Sequence, residues 1–117
     1  MIVWNTEIVE RLKTGSIKNV LLFGDSFERQ KAPYVVVKPM LGGDRKVYQI
    51  IVHMAFGMQD LLEKYLMSEL PELLMKEPLQ KDGAITIVEK TDECGGYPDD
   101  DDNTLAMYRK FYIPIRI

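Results

Sequence analysis

Ser26 follows an apolar run in the stretch VLLFGDSFERQ, residues 20–30. A serine just past a strand end is placed as a nucleophile for an acyl carbon would be, provided a histidine takes its proton. The chain has one histidine, His53. His53 falls inside a run whose alternation predicts a strand, not a loop after one. A second chemical group is CGGYPDDDDNT, residues 94–104. Asp99, Asp101 and Asn103 are spaced like the first ligands of a calcium-binding loop. The glycine such a loop needs at its sixth position is Thr104, and the glutamate at its last is Lys110. A looser Ca²⁺ or Mg²⁺ site stays open, since hard cations take carboxylate oxygens. The plainer reading is a solvated connection kept extended by like charges, and it is the one adopted. Cys94 lies beside two glycines with no basic neighbour, a setting that does not make a nucleophile.

The block around Ser26 resembles the nucleophile block of the GDS-type esterases and lipases. That family carries a D-x-x-H block near its C-terminus and a G-x-N-D block between, and neither occurs here. A turn accounts for the same letters, because Gly24 and Asp25 tolerate unusual backbone angles and Asp or Ser caps a turn. Ser26 acting with His53 is kept only as an alternative of a different class. His53 alone reads as an ordinary strand residue. Methionines such as Met54, Met58 and Met67 read as gap-filling packing. Tyr108, Lys110, Tyr112 and Arg116 share the outer face of the last strand, a composition suited to stacking on single-stranded nucleic acid or to a protein interface. With 15 basic against 18 acidic residues the net charge is −3, which favours the protein interface.

These residues need elements to hold them. Asn5 or Thr6 is expected to cap a short first helix, with Glu7 in its first turn and Gly15 after it. Residues 19–23 read as a strand, 24–32 as a polar link and 34–38 as a second strand ended by Pro39. Residues 46–56 are the clearest strand. Tyr48, Ile50, Val52, Met54 and Phe56 should face the core, and Val47, Gln49, Ile51, His53 and Ala55 solvent or another subunit. A helix is expected from Met58 to Leu70, with Pro71 breaking or restarting it. Pro78 and Gly83 bracket a loop, residues 84–89 read as a strand, and a Gly- and Asp-rich loop follows. The last strand, 105–117, puts Leu105, Met107, Phe111, Ile113, Ile115 and Ile117 on one face with Arg109 as the exception. Pro114 suggests a sheet edge. The expected fold is α+β: a single mostly antiparallel β-sheet with two helices packed on one face.

At 117 residues the chain fits one domain, residues 1–117, able to bury about two-thirds of its unfolded surface. A single cysteine excludes an internal disulfide and a Cys-rich zinc site, and is compatible with a reducing compartment. No signal peptide and no membrane-spanning run are expected.

The order of elements, with APYVVVKP (32–39), KVYQIIVHMAF (46–56), a long helix after Gly57, an acidic turn and LAMYRKFYIPIRI (105–117), resembles the small tail-terminator or tail-completion proteins of long-tailed bacteriophages. Pro33-Tyr34-Val35 matches the early element and Tyr108-Arg109 the late one. The resemblance implies a structural protein without cofactor or catalysis. It implies a homo-oligomeric ring, usually a hexamer, on the head-proximal end of the tail tube. The ring would end tube polymerisation and join the tube to the head connector. It places the protein in the virion tail or neck after assembly in the host cytoplasm. Another neck component, such as a head-closure protein, fits the same class. Gln49, Ile51, His53, Tyr108, Lys110, Tyr112 and Arg116 are then candidate subunit contacts. Asp99, Asp100, Asp101 and Asp102 are candidates to line a channel through which DNA passes without specific binding.

Overall fold

The computed structural model describes residues 3–24, 31–42, 45–99 and 104–114. Helix α1 (Asn5–Leu12) leads to strand β1 (Val20–Leu22), β2 (Tyr34–Gly42) and β3 (Arg45–Ala55). One long helical stretch follows, made of α2 (Gln59–Lys64), a π-helical turn (Tyr65–Glu69) and α3 (Leu70–Met75). Then come β4 (Leu79–Lys81), β5 (Ala84–Thr86), β6 (Glu89–Asp99) and β7 (Thr104–Pro114). The main sheet has five strands in the order β1-β2-β3-β7-β6, and β4-β5 is a separate hairpin. All pairings in the main sheet are antiparallel except β1 with β2. The α+β sheet with helices on one face is therefore present.

Alternation along the strands makes the core. Val35, Val37, Tyr48, Ile50, Val52, Phe111 and Ile113 point to one face and pack with Ile8, Leu12, Leu62, Leu66, Leu70 and Leu74 of the helices in one buried cluster. Tyr48 is fully buried, and its hydroxyl donates to Asn5 Oδ1 at 2.9 Å. Burial pushes its phenol up to about 12. That contact changes the expected cap: the residue before α1 is Trp4, with no side-chain cap, and the Asn5 amide is spent on Tyr48. Phe56, expected on the core face, is 47% exposed because β3 has already ended in a turn.

Pro39 was expected to end a strand, Pro114 to mark a sheet edge and the Gly- and Asp-rich segment to be a loop, and none does so. Pro39 lies inside β2. In the parallel pair Val35 N–H donates to Asn19 O and Phe23 N–H to Val37 O, so odd residues of β2 aim their polar groups toward β1. Position 39 aims the same way, past the end of β1 at Leu22, where no ladder bond is lost. Pro114 follows the same arithmetic. β7 is not an edge strand, since it lies between β3 and β6, but Pro114 aims toward β6 beyond that strand's last partner, Glu89 opposite Tyr112. The acidic and glycine-rich segment is no loop through Asp99: β6 pairs along β7 with Gly95 opposite Tyr108 and Gly96 opposite Met107.

Pro71 restarts the helix instead of breaking it, standing at the start of α3 just after the π turn. Leu70 N–H reaches back five residues to Tyr65 O. The next carbonyl in that register, Leu66 O, would accept from residue 71, which has no N–H. Arg109 fills the gap from across the core: its Nη1 donates to Leu66 O at 3.3 Å and lies 3.9 Å from Met67 Sδ. Arg109 is 7% exposed and stands 5.6 Å over the Phe111 ring. The one cation on the apolar face of β7 is thus a tie between the sheet and the helix above it.

The segment 78–89 also differs from expectation. Asp82 and Gly83, with φ of 50° and 83°, make a tight turn that folds 79–86 into the β4-β5 hairpin, and the main sheet resumes only at Glu89. Arg11 holds the end of α1 to α3 and the segment just after it: its guanidinium donates to the carbonyls of Leu73 at 3.4 Å, Glu77 at 2.9 Å and Pro78 at 3.2 Å. Ser16 N–H and hydroxyl both donate to the Glu69 carboxylate at 2.8 Å.

Candidate functional site

The helices cover one face of the sheet. No described helix or strand covers the other, and there the register assembles side chains into cross-strand rows. Lys38, Gln49 and Lys110 form one row. Val36, Ile51, Tyr108 and Gly95 form the next, and Met40, Val47, Tyr112 and Glu89 another. Five of the seven residues expected to make subunit contacts, Gln49, Ile51, Tyr108, Lys110 and Tyr112, are brought together here and are all half-buried.

A register break in β6 shapes this surface. Between Lys90 and Cys94 the pairing with β7 slips, and Thr91 stitches the gap. Its hydroxyl donates to Lys110 O at 3.1 Å and accepts from Glu93 N–H at 3.1 Å. Glu93 is thereby turned onto Lys110, with Nζ 2.6 Å from Oε2. That hydrogen bond holds the Glu93 carboxyl below its ordinary range and the Lys110 ammonium above its own. Nearby, the Arg45 guanidinium stands 4.6 Å over the Tyr112 ring. A hydrogen bond with Glu89 raises the Tyr112 phenol. Lys38 stands 4.9 Å over Phe23. A Cβ at Gly95 would lie 2.8 Å from Cε1 of Tyr108, so a side chain there would have to push the ring aside.

His53 behaves differently. It is 8% exposed, its ring is stacked on Tyr34 at 4.4 Å, and its Nδ1 is 3.2 Å from Thr104 Oγ1. It stiffens the end of the open face instead of offering a contact surface, because neighbouring side chains already cover it. Ser26, Arg116, Asp100, Asp101 and Asp102 lie outside the described residues, and Asp99 closes β6 opposite Thr104. Cys94 is exposed. Among the described residues no group of three His, Cys, Asp or Glu is placed to hold a metal ion. No described helix is long and apolar enough to cross a membrane.

A cleft of about 540 Å³ opens on the helix side, between the end of α1 and α3. Arg11, Ser16 and Glu69 line it, and each is engaged in joining the two helices. Sequence reasoning missed Glu89, Glu93, Arg45 and Lys38 as members of the open face. The signal was available only through register: once the residues after Glu89 were read as a loop, Glu93 had no strand to stand on.

No protein-family model matches the chain, and no curated protein matches it. A solved structure of 16% identity superposes with a TM-score of 0.66 over 97% of this chain and 91% of its own. At that identity the likeness shows the fold alone.

Proposed function

We propose that this protein is a tail terminator of a long-tailed bacteriophage, a structural protein that acts by assembling. Copies form a ring, six in the usual case, on the head-proximal end of the tail tube, stop its growth and present a surface to the head connector. The supporting observation is the open sheet face, where aromatic, aliphatic and paired charged groups share one surface that no described element of the chain covers. A sheet face that no described element covers offers room for a partner. A ring repeats one contact between two different surfaces until it closes, so each subunit needs two such surfaces. The order of elements that carries the resemblance supports the same reading. In this reading the protein works in the virion neck, needs no cofactor and performs no catalysis. The run of acidic residues 99–102 suits the wall of a channel, because negative walls do not grip passing DNA.

The test is light scattering with negative-stain imaging, alone and with tail tubes. The expected result is a closed ring of one stoichiometry, free or on tube ends, and tubes whose growth stops where it sits. A chain that stays single beside tubes and leaves their length unrestrained would overturn the proposal.

A further inference from the structure

We infer that Arg109 and Lys90 form a binding site for a small oxyanion, a carboxylate or phosphate group, on the strip of β6 that the helices leave bare. The inference stands apart from the assembly reading and concerns the helix side of the sheet, not the open face.

The helix layer ends over β7. Among the described residues, β6 contributes none to the buried cluster. Residues directly opposite each other in an antiparallel pair share a face. Lys90 opposite Phe111, Cys94 opposite Arg109 and Gly96 opposite Met107 therefore lie on the helix side, and all three are exposed. The wall beside this strip is the π turn, where Met67 is exposed. Arg109 reaches up to that wall from β7, through its contacts with Leu66 O and Met67 Sδ.

The charge at this place is not balanced. A guanidinium carries five N–H groups, and in Arg109 a single nitrogen, Nη1, makes both of the contacts to the helix. Among the described residues no carboxylate lies within ion-pair distance of it. Arginine is seldom buried to this degree without an acid beside it. The Phe111 ring at 5.6 Å offsets only part of that cost. Lys90 adds to it: it is the cross-strand neighbour of the same Phe111 over which the guanidinium stands. Two cations so placed repel, and an anion between them offsets both. The acids of β6 are committed elsewhere. Glu93 is held by Lys110 and Glu89 stands in the row of Tyr112, both on the open face, while Asp92 lies in the register slip, outside the pairing with β7. The planar fork of a guanidinium accepts two oxygens of one carboxylate or phosphate, and the flexible lysine closes on a third contact from the solvent side. Free phosphate and the carboxylate of an acidic side chain share this chemistry.

The test is a titration of the Arg109 Nε–H resonance by ¹⁵N NMR, with sodium phosphate and, separately, with sodium acetate, at an ionic strength held constant with sodium chloride. The expected result is a saturable shift. Tighter saturation by phosphate assigns the site to a phosphate group, and tighter saturation by acetate assigns it to a carboxylate. Two variants leave Arg109 and its tie to the helix in place. Lys90→Gln should weaken binding about tenfold, the scale of one charge-assisted hydrogen bond. Lys90→Glu sets a carboxylate where the anion would sit, so it should abolish the titration and raise the midpoint of thermal melting. A shift that never saturates, or that chloride reproduces at equal ionic strength, would overturn the inference. So would a Lys90→Glu protein that titrates as the parent does.

Discussion

Arg109 shows how much one residue can do for a helix it does not belong to. Its guanidinium stands where Pro71 lacks an N–H, so the two residues are coupled through Leu66 O. Arg109→Met should destabilise the protein by about 2 kcal/mol or more, the scale of losing a charged hydrogen bond and leaving a buried carbonyl bare. Pro71→Ala in the Arg109→Met background should recover about 1 kcal/mol by restoring a backbone donor. A urea-denaturation double-mutant cycle measures the coupling, and additive effects would refute it. The Lys110–Glu93 pair makes a second residue-level case. The folded Glu93 carboxyl is depressed from 4.5, so its contribution is present above that value and is lost as the pH falls through its lower folded value. Lys110 is raised from 10.5, so its contribution is present below that value and is lost as the pH climbs through its higher folded value. Carbon-detected NMR titration of Glu93 should give a midpoint below 4.5 that moves back up in Lys110→Met.

At the scale of elements, what was legible in the sequence was whatever depended on periodicity. The alternation of residues 46–55 gave β3 and its two faces, and the leucine spacing after Gly57 gave the helix. What was not legible depended on partners. Pro39 read as a stop, Pro71 as a break or restart and Pro114 as the mark of a sheet edge, yet each falls where its missing N–H has no ladder partner or where Arg109 replaces it. β6 has the composition of a loop, with Gly95, Gly96 and Pro98, and becomes a strand because β7 supplies both the ladder and a ring to lie on Gly95. Propensity is a weak guide where cross-strand packing decides. Gly95→Ala should therefore cost about 1–3 kcal/mol despite the better strand propensity of alanine, because the Tyr108 ring must move. Thermal melting measures it, and the companion change Tyr108→Ala should remove most of the penalty. Alternation alone places Gln49, Ile51, His53, Tyr108, Lys110 and Tyr112 on one face; the burial of His53 there was not legible, because its stack on Tyr34 depends on which strand lies beside it.

For the whole molecule, the strand order sets a gradient of protection. β3 and β7 are flanked on both sides, whereas β1 and β6 each have one neighbour. Amide hydrogen exchange should be slowest in β3 and β7 at positions such as Ile50 and Phe111, and fastest in the bulged part of β6 around Glu93. Uniform exchange across all four strands would contradict this order. The β4-β5 hairpin stands apart from that sheet and ends in the exposed pair Asp82 and Gly83. Both turn residues have positive φ, and no pairing in the hairpin reaches past Lys81 opposite Ala84. A short peptide epitope spliced between them would add to a surface loop without touching the five-stranded ladder. That makes the hairpin tip a natural address for a gold or fluorescent label, from which the orientation of each subunit within a larger particle could be read directly.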